Sequence, residues 1–415
     1  MLYDFFENNA LKTELLKKIY LLIQEKGPIS KAELIEETKL NISTLSRMLD
    51  SFMENDLIKE SGIMTNNGVG RPRILYEINA SYNYIIGVDI SRTQTKVILL
   101  DLNLSVLKKE TFLMTSIHTP ELVLTKIVNI IKGFLEEFKF STDKLIGIGI
   151  GAVGPIDYKK GVIIQADSFP TKSWTNVKII EFLKKELPVR MLINSGANTA
   201  VYGEYYYLEK PKNNIVYFNN GISLRCSAMI NGVLVNNVIG DTDSYGHIII
   251  DYEGELCSCG RRGCLTNYIS LGSLLNKVKE KLSQGADSIL LDWVQGDITK
   301  LSVDHVVEGM RNNDDIVKET VLKSTPYLGI GMANIVNSLH PDKVIINSPL
   351  IVNGSEYLEM INQHARQYIF KNRRDKVQIS QGKLKSDAAS IGAAIAVFES
   401  IFKEDNVFPT KYVHL

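Results

Sequence analysis

Four residues between positions 247 and 264 have the types and the spacing of a metal site. They are one histidine and three cysteines, namely His247, Cys257, Cys259 and Cys264. One imidazole and three thiolates make the closed tetrahedral set that a structural Zn²⁺ prefers. The other interpretation is a loop that carries three ordinary free thiols. Since a closed set has no open coordination position, we expect one structural zinc ion per chain and no metal chemistry.

A second group of residues has the chemistry of DNA recognition. Hydroxyl and guanidinium groups lie at the start of one predicted helix, and two more guanidinium groups lie on a glycine-rich loop. The candidates are Ser43, Thr44, Ser46, Arg47, Arg71 and Arg73. Such donors suit phosphates and base edges in a major groove, and arginines on a thin tip suit a minor groove. The alternative is a surface for protein contacts, which a slight excess of acidic over basic residues in this segment favours.

The elements around these donors follow a characteristic order. Apolar residues at helical spacing predict a helix over about 11–25, and a capping box at Ser30–Glu33 begins a second helix. The third helix carries the hydroxyl and guanidinium donors. Residues 57–60 and 74–78 are typical of the two strands of a hairpin. This order predicts a winged helix-turn-helix domain over residues 1–79 that binds double-stranded operator DNA.

The rest of the chain alternates strands with helices. Buried strands are expected at 85–90, 146–151 and 343–347, and helices near 327–338 and 388–402. The alternation predicts an α/β architecture, and two similar lobes fit the length of the chain.

Composition excludes several classes of protein. The chain has 415 residues, 45% of them hydrophobic, four cysteines and no net formal charge. Its N-terminus lacks the basic start and apolar run of a signal peptide, and no run of about 18 apolar residues indicates a membrane span. Thiols used as metal ligands fit a reducing compartment, so we expect a cytoplasmic protein without a membrane partner. Any DNA binding must come from a local arrangement of basic groups.

Taken together, the motifs resemble the ROK family of repressors and sugar kinases. The zinc motif, Gly246–Cys264, is the most specific mark, and Gly70–Pro72 followed by Ile86–Ile90 resembles the junction in the repressor branch. The resemblance covers nearly the whole chain. It implies an actin-like or sugar-kinase-like body over 80–415, with lobe one at about 82–200 plus the C-terminal helix and lobe two at about 201–385.

The resemblance also indicates the branch, because phosphoryl transfer needs particular residues. Family kinases have the turn Asp-x-Gly-Gly-Thr, whereas residues 89–93 here place Ser91 and Arg92 where the glycines stand. Of the Gly-x-Gly-x-Gly-x-Gly loop, residues 221–227 keep one glycine. The aspartate that serves as catalytic base aligns with Gly196, which has no carboxylate. We therefore do not expect ATP-dependent sugar phosphorylation.

The sugar contacts implied by the family are altered too. Ser244 and Thr266 stand where the family has glutamates, so strong acceptors for sugar hydroxyls are missing. Two hypotheses stay open: the cleft binds a different effector, uncharged or anionic, close to Arg225, or it binds no small molecule. Under the first, the candidate effector residues are Gly154, Ser195, Ser244, His247 and Thr266.

The leading hypothesis is a DNA-binding transcriptional regulator, a repressor of carbohydrate-related genes, with a degenerate kinase-like body. That body would bind a sugar or sugar-derived effector and form a homodimer or homotetramer, because one winged helix makes too few contacts for tight specific binding. One alternative is a sugar kinase with an appended DNA-binding module. The other is a protein-interaction role. The fourth thiol, Cys226, is expected to be a packed core residue.

Overall fold

A computed structural model describes residues 2–7, 13–64, 73–165, 169–208, 214–235, 244–351 and 356–402. Over these residues the chain forms an N-terminal helical domain and an α/β body built on two larger sheets. The α/β class and the winged helix-turn-helix predicted from the sequence are both confirmed.

The N-terminal domain packs helices against a small antiparallel sheet of order β1-β3-β2. Its elements are α1 (Leu2–Glu7), α2 (Thr13–Lys26), β1 (Ile29–Ser30), α3 (Lys31–Thr38), α4 (Ile42–Glu54), β2 (Ile58–Met64) and β3 (Arg73–Ile78). The expected capping box begins α3: the Ser30 hydroxyl accepts from the backbone N–H of Glu33, whose carboxylate accepts from the backbone N–H of Ser30 at 2.8 Å. The sequence analysis did not anticipate α1.

Helix α4 has two contrasting faces. Leu45, Leu49 and Phe52 are buried against the rest of the domain, as their helical spacing predicts. The Asn41 side chain caps the first turn by accepting from the backbone N–H of Thr44 at 2.8 Å. The packed face and the cap fix the helix, so its opposite face is presented to solvent.

The first lobe of the body centres on a sheet of order β11-β7-β4-β5-β6, in which β4, β7 and β11 are parallel. A smaller sheet, β10-β9-β8, lies beside it, and helices α5 and α6 bury its apolar core. The elements are β4 (Tyr84–Ile90), β5 (Gln94–Leu100), β6 (Val106–Leu113), α5 (Pro120–Glu137), β7 (Leu145–Ala152), β8 (Ile156–Asp157), β9 (Val162–Gln165), β10 (Thr175–Lys178), α6 (Ile179–Glu186) and β11 (Arg190–Ser195).

The second lobe repeats this plan with a sheet of order β14-β13-β12-β15-β16. Helices follow its strands and bury a second core. The elements from there to the last helix are α7 (Gly196–Tyr206), β12 (Ile215–Asn220), β13 (Leu224–Ile230), β14 (Val233–Leu234), α8 (Thr266–Ile269), α9 (Leu271–Ser283), α10 (Ile289–Trp293), α11 (Val303–Arg311), α12 (Asp315–Leu322), α13 (Thr325–Leu339), β15 (Lys343–Asn347), α14 (Glu356–Tyr368), β16 (Gln378–Gln381) and α15 (Ala388–Glu399). Among the described helices, none is long and apolar enough to cross a bilayer.

Helices α7 and α15 connect the two sheets and cross each other closely. A Cβ added to Gly392 would lie 1.8 Å from the carbonyl oxygen of Thr199, so a side chain at this crossing is excluded. Helix α15 approaches the first sheet equally closely, because a Cβ on Gly149 would lie 1.9 Å from the carbonyl oxygen of Ala393. The last helix and the first sheet are therefore one packed unit.

An aromatic cluster joins the N-terminal domain to this unit. The ring of Phe402, just beyond α15, stacks on Tyr20 with centroids 5.7 Å apart and meets the ring of Phe6 at 5.3 Å. The Tyr206 hydroxyl at the end of α7 donates to the Gln24 side chain at 2.9 Å. The N-terminal domain thus rests on the ends of α7 and α15, while the domain boundary at residue 79 stays a prediction.

Candidate functional site

The four residues predicted to bind metal come together in the second lobe. The ligand atoms of His247, Cys257, Cys259 and Cys264 all lie within 4.8 Å of one another. The Sγ atoms of Cys259 and Cys264 are 3.6 Å apart, and Cys257 Sγ lies 3.5 Å from His247 Nδ1. A tetrahedral ion with metal–sulfur bonds of about 2.3 Å requires sulfur–sulfur separations of roughly 3.8 Å. The spacing therefore fits a metal ion, and the thiols are free rather than joined in a disulfide.

The backbone of the loop holds this geometry. The backbone N–H of Cys257 donates to the carbonyl of Arg261 at 2.7 Å, which closes the turn between the first two thiols and the third. Gly260 and Gly263 have φ angles of +86° and +67°, a region that glycine adopts without steric cost. At Gly263 a Cβ would also lie 1.4 Å from the carbonyl oxygen of Asp251. Both glycines of the motif are thus required by the fold of the loop.

The thiols differ in their surroundings. The backbone N–H of Arg261, then its side chain, lowers the pKa of the exposed Cys259 thiol to about 6, whereas burial raises the pKa of Cys264 to about 12. A bound metal ion would favour the thiolate at both positions. The fourth thiol, Cys226, is fully buried on β13, which confirms the expected core role.

The predicted DNA contacts begin helix α4. Ser43 and Arg47 are exposed, and Thr44 and Ser46 are half-buried. The Lys31 ammonium, which the sequence analysis did not include, donates to the Ser46 hydroxyl at 3.1 Å and so adds a positive charge to this face. In the sequence, the only indication of this role was the position of Lys31 directly after Ser30, which caps α3.

Only one of the two arginines predicted on the wing lies within the described residues. Arg73 is exposed at the start of β3. Arg71 lies outside the described residues. The described strands of the hairpin are paired, with Met64 of β2 opposite Arg73 of β3.

The five candidate effector residues fall into two groups, and both groups lie close to β13. Ser195 ends β11 next to the end of β7, which leads to Gly154. Ser244 and His247 share one 3-10 turn that lies against Thr266 at the start of α8.

Strand β13 lies close to both groups. A Cβ on Gly246 would lie 2.7 Å from the carbonyl oxygen of Leu224, and one on Gly196 would lie 3.8 Å from Arg225 Nη1. Ser195 itself is buried, and its hydroxyl caps α7 by accepting from the backbone N–H of Asn198 at 3.3 Å. Capping gives this serine a structural role that the sequence analysis did not foresee.

Comparison with known proteins places these features in one family. The ROK family profile matches residues 85–400, and a winged helix-turn-helix DNA-binding profile matches residues 12–59. The chain belongs to the ROK family.

Relatives of this ROK protein cover nearly the whole chain. The xylose repressor of Caldicellulosiruptor bescii is 26% identical over 95% of this chain and 98% of its own length, and the xylose repressor of Bacillus spizizenii is 27% identical over the same shares. A solved ROK family transcriptional regulator, a homologue of the Escherichia coli MLC protein, superposes with a TM-score of 0.75 at 19% identity over 94% of this chain and 97% of its own. Because the similarity includes the N-terminal domain, this ROK protein is a transcriptional regulator of the repressor branch and not a sugar kinase.

Two turns that the sequence analysis aligned with the nucleotide loops of ROK kinases contact each other in this structure. The turn between β4 and β5 carries Arg92, whose guanidinium donates to the Ser223 hydroxyl in the turn between β12 and β13. Gly196, which the sequence resemblance aligned with the catalytic base, lies beside Asp89: a Cβ there would be 3.5 Å from the Asp89 carboxylate. Burial raises the pKa of Asp89 to about 6, against the opposing charges of Arg225 and Lys96.

A cavity of about 1020 Å³ opens between the two sheets at these turns. Its described lining includes Arg92 and Arg225 but none of the five predicted effector residues. From the sequence, Arg92 was predicted only as a replacement for glycine, whereas Arg225 was expected close to a possible effector. Their burial in a cavity wall depends on contacts between distant strands, which the sequence alone does not reveal.

Proposed function

We propose that this ROK protein represses carbohydrate-related genes by binding operator DNA through α4 and the wing, and that a sugar bound in the body changes this binding. The observation that carries the proposal is the coincidence of an exposed, donor-rich helix face with full-length similarity to xylose repressors. The proposed sugar class is therefore a pentose such as xylose.

The donors of α4 support DNA contact by their position at the start of the helix. Arg47 is long and exposed, which suits bidentate binding to a guanine edge, and Ser43 with Thr44 suits phosphate oxygens. Lys31 adds a charge that phosphates attract. We assign Arg71 and Arg73 to minor-groove contact because they flank the wing.

The sugar is proposed to bind against β13, where the two groups of effector candidates converge. Ser244 and Thr266 would hydrogen bond to sugar hydroxyls, Gly154 would allow a close approach of backbone to the ring, and Ser195 would orient α7 through its cap. His247 would then belong to two sites, since it is also a ligand of the proposed metal. A sugar in this place would contact both lobes and bias their separation.

We propose that the metal is a structural Zn²⁺, one per chain. Four ligands of the sulfur and nitrogen type fill a tetrahedron and leave no open position for catalysis. The ion would fix the loop that positions Ser244, His247 and Thr266.

We further propose that the chain acts as a homodimer or homotetramer on palindromic DNA. Two linked winged helices bind paired half-sites far more tightly than one, provided that their spacing matches whole turns of the double helix. Movement of the lobes would change that spacing. Size-exclusion chromatography with light scattering would measure the mass, and a monomer that binds operator at full affinity would contradict this step.

The decisive experiment selects a DNA sequence from a random pool with the purified protein and measures binding by fluorescence anisotropy. Arg47→Ala is expected to weaken specific binding roughly tenfold or more, because one good base contact contributes about 1–3 kcal/mol. Arg374→Ala removes an exposed arginine of the second lobe and should change binding less than about twofold. Recovery of no preferred sequence, or equal binding by both variants, would refute the DNA assignment.

The effector is tested separately by thermal melting with a panel of sugars. A sugar that binds the folded state raises the melting temperature, and xylose is expected to do so and to weaken operator binding. Ser244→Ala and Thr266→Val should reduce both responses. No response to any sugar would leave the repressor without this effector class and would contradict the proposed sugar site.

A further inference from the structure

One large apolar side chain lies among the polar groups that begin helix α4. Ile42 is the first residue of this helix, and its exposed fraction is 66%. The buried apolar residues of the helix begin only at Leu45. Its other exposed residues are all polar, namely Ser43, Arg47, Asp50 and Glu54. Ile42 therefore lies outside the apolar face of α4 and belongs to its solvent-facing side.

Helix geometry places Ile42 within the cluster of predicted DNA contacts. Residues four positions apart are neighbours on a helix surface, so Ile42 lies beside Ser46, and Ser43 lies beside Arg47. These four residues form a patch on the first two turns of α4. The Lys31 ammonium, which donates to the Ser46 hydroxyl at 3.1 Å, adds a positive charge at this patch. One apolar side chain is thus accompanied by hydroxyl and cationic groups.

The backbone that carries Ile42 is fixed on both sides. The Asn41 side chain accepts from the backbone N–H of Thr44 at 2.8 Å and from the Ser43 hydroxyl at 2.9 Å. Leu45, one turn into the helix, is fully buried. Isoleucine branches at Cβ and has few rotamers in a helix. Ile42 therefore presents a defined apolar surface to solvent, and ordering this surface on binding costs little entropy.

The distribution of exposed apolar residues gives a second observation. Over the described part of the N-terminal domain, the large apolar residues with high exposure are Ile42 and Ile74. Ile74 has an exposed fraction of 40% and follows Arg73 on β3. Single exposed apolar residues are common on protein surfaces. Here both lie on the two elements proposed to contact DNA, which is the arrangement expected if DNA covers them.

Thymine is the base whose major-groove edge carries a methyl group, and apolar side chains recognise this group by contact. The first residues of a recognition helix are those that reach base edges. We propose that Ile42 determines operator specificity by contacting the 5-methyl group of a thymine in each half-site. The inference rests on the proposed operator binding and adds to it the base that the first residue of α4 reads.

A protein partner is the other macromolecule that could cover Ile42. The core of a protein interface is typically a cluster of apolar and aromatic residues with few charges. Ile42 is instead a single aliphatic side chain beside Ser43, Ser46 and Arg47. A major groove offers the matching pattern, because thymine methyl groups lie there among hydrogen-bond acceptors and phosphates. The surroundings of Ile42 therefore favour DNA.

The test uses the full-length protein and the operator selected from a random DNA pool. Each thymine of one half-site is replaced in turn by deoxyuridine, which lacks only the 5-methyl group and still pairs with adenine. Fluorescence anisotropy at fixed salt concentration measures the affinity for each duplex. Loss of the contacted methyl group should weaken binding about fourfold, and loss of any other should weaken it less than about 1.5-fold.

Variants then assign the methyl effect to Ile42. In Ile42→Ala the same uracil substitution should weaken binding less than about 1.5-fold, because the side chain that reaches the methyl group is gone. Ile42→Val should keep an intermediate effect. Ile117→Ala is the matched control, since Ile117 is 69% exposed on the first lobe, and it should keep the whole effect. Thermal melting checks that each variant is folded, and Ile42→Val carries the test if Ile42→Ala does not fold.

Three results would overturn the assignment while leaving operator binding through Arg47 intact. One is a preferred half-site in which no thymine methyl group contributes to binding. Another is an unchanged uracil effect in folded Ile42→Ala. The third is a lower mass of Ile42→Ala in light scattering, which would place the residue between two copies of the chain. A pool that yields no preferred sequence would refute operator binding and this assignment together.

Discussion

The N-terminal domain and the second lobe contact the rest of the molecule in different ways. The N-terminal domain meets the body through aromatic rings, with Phe6 and Tyr20 packed on Phe402. The second lobe packs its sheet on α7 in an apolar core, and beside this contact a wide cavity separates it from the turns of the first lobe. The first contact is close-packed, whereas the second also encloses space for a ligand.

This difference indicates which parts move together. Close-packed apolar surfaces resist small displacements, because each contact that is lost leaves a void. The N-terminal domain should therefore follow α15, and α15 follows the first sheet because their backbones nearly touch at Gly149. The second lobe packs on α7 at one side and faces the first lobe across open space along the cavity. A ligand that changes the separation of the lobes would then reorient the DNA-reading domain relative to the second lobe.

The largest effect is expected in the second lobe, on removal of a metal ligand. Cys257→Ser should reduce bound zinc from about one ion per chain to a small fraction, because a structural site needs all of its ligands. Loss of the ion should lower the melting temperature by several degrees and abolish the sugar response. Atomic absorption and thermal melting measure the two effects.

A matched control for this change is Cys226→Ala, which removes the buried thiol that lies outside the metal cluster. It should keep the metal content of the unmodified protein. Equal metal loss in both variants, or no stoichiometric metal in the unmodified protein, would contradict the assignment. Operator affinity without sugar should stay within about twofold for Cys257→Ser if the second lobe is the separately moving part.

At the junction, Phe402→Ala should lower the free energy of unfolding by about 3–5 kcal/mol, since it removes a buried ring from the middle of an aromatic cluster. It should also weaken the coupling between sugar and operator binding. Urea denaturation measures the first effect and anisotropy with and without sugar the second. Phe370→Ala removes a ring that is 64% exposed and should cost less than about 0.5 kcal/mol. Full coupling in a folded Phe402→Ala protein would contradict the idea that the aromatic junction makes the N-terminal domain move with α15.

Local sequence patterns predicted the winged helix and the metal cluster well. The capping box at Ser30 begins a helix and the apolar spacing of α4 gives its buried face, because both features depend on residues within one or two turns. The cluster of one histidine and three cysteines is similarly local, since its ligands lie within one loop and an adjacent turn. The types of the four residues and their spacing in the sequence were enough to predict that they form one cluster.

The same local patterns could not predict contacts between residues that are distant in the sequence. Helix α1 spans six residues, too few to show a clear helical period, and its burial comes from the distant Phe402. The helices between residues 271 and 322 were not assigned from the sequence. The capping role of Ser195 and the burial of Arg92 and Arg225 depend on which strands become neighbours in the sheets. Such contacts follow from the topology of the whole body.

The contact between α15 and the first sheet is tested at Gly149. Gly149→Ala should cost about 1–3 kcal/mol, because the new Cβ would meet the carbonyl oxygen of Ala393 and the backbones must separate. Gly133→Ala is the control: no atom lies within 4 Å of its added Cβ on α5, and alanine favours helix there by up to about 1 kcal/mol. Opposite signs for the two substitutions in urea denaturation are the expected result. A neutral Gly149→Ala would show that the helix and sheet are not held as one unit.

The smallest expected effect is a change in the free energy of unfolding with pH. It should depend on the charged cleft and not on the apolar junction. Burial raises the pKa of Asp89 from 3.8 to about 6, so between pH 4 and 6 the folded state keeps a proton that the unfolded state has released. The free energy of unfolding should therefore fall as pH rises through this window, by on the order of 1–2 kcal/mol from this group, and level off above it.

Asp89→Asn should flatten that slope relative to the unmodified protein, and the difference between the two curves isolates Asp89 from Glu204, whose pKa burial also raises. Phe402→Ala, in contrast, should shift the whole curve downward by an amount that does not depend on pH, because no ionisable group is lost at the junction. Urea denaturation at intervals between pH 4 and 8 measures all three proteins. If Asp89→Asn keeps the full slope, the carboxylate beside Arg225 is already ionised throughout the range, and burial does not raise its pKa.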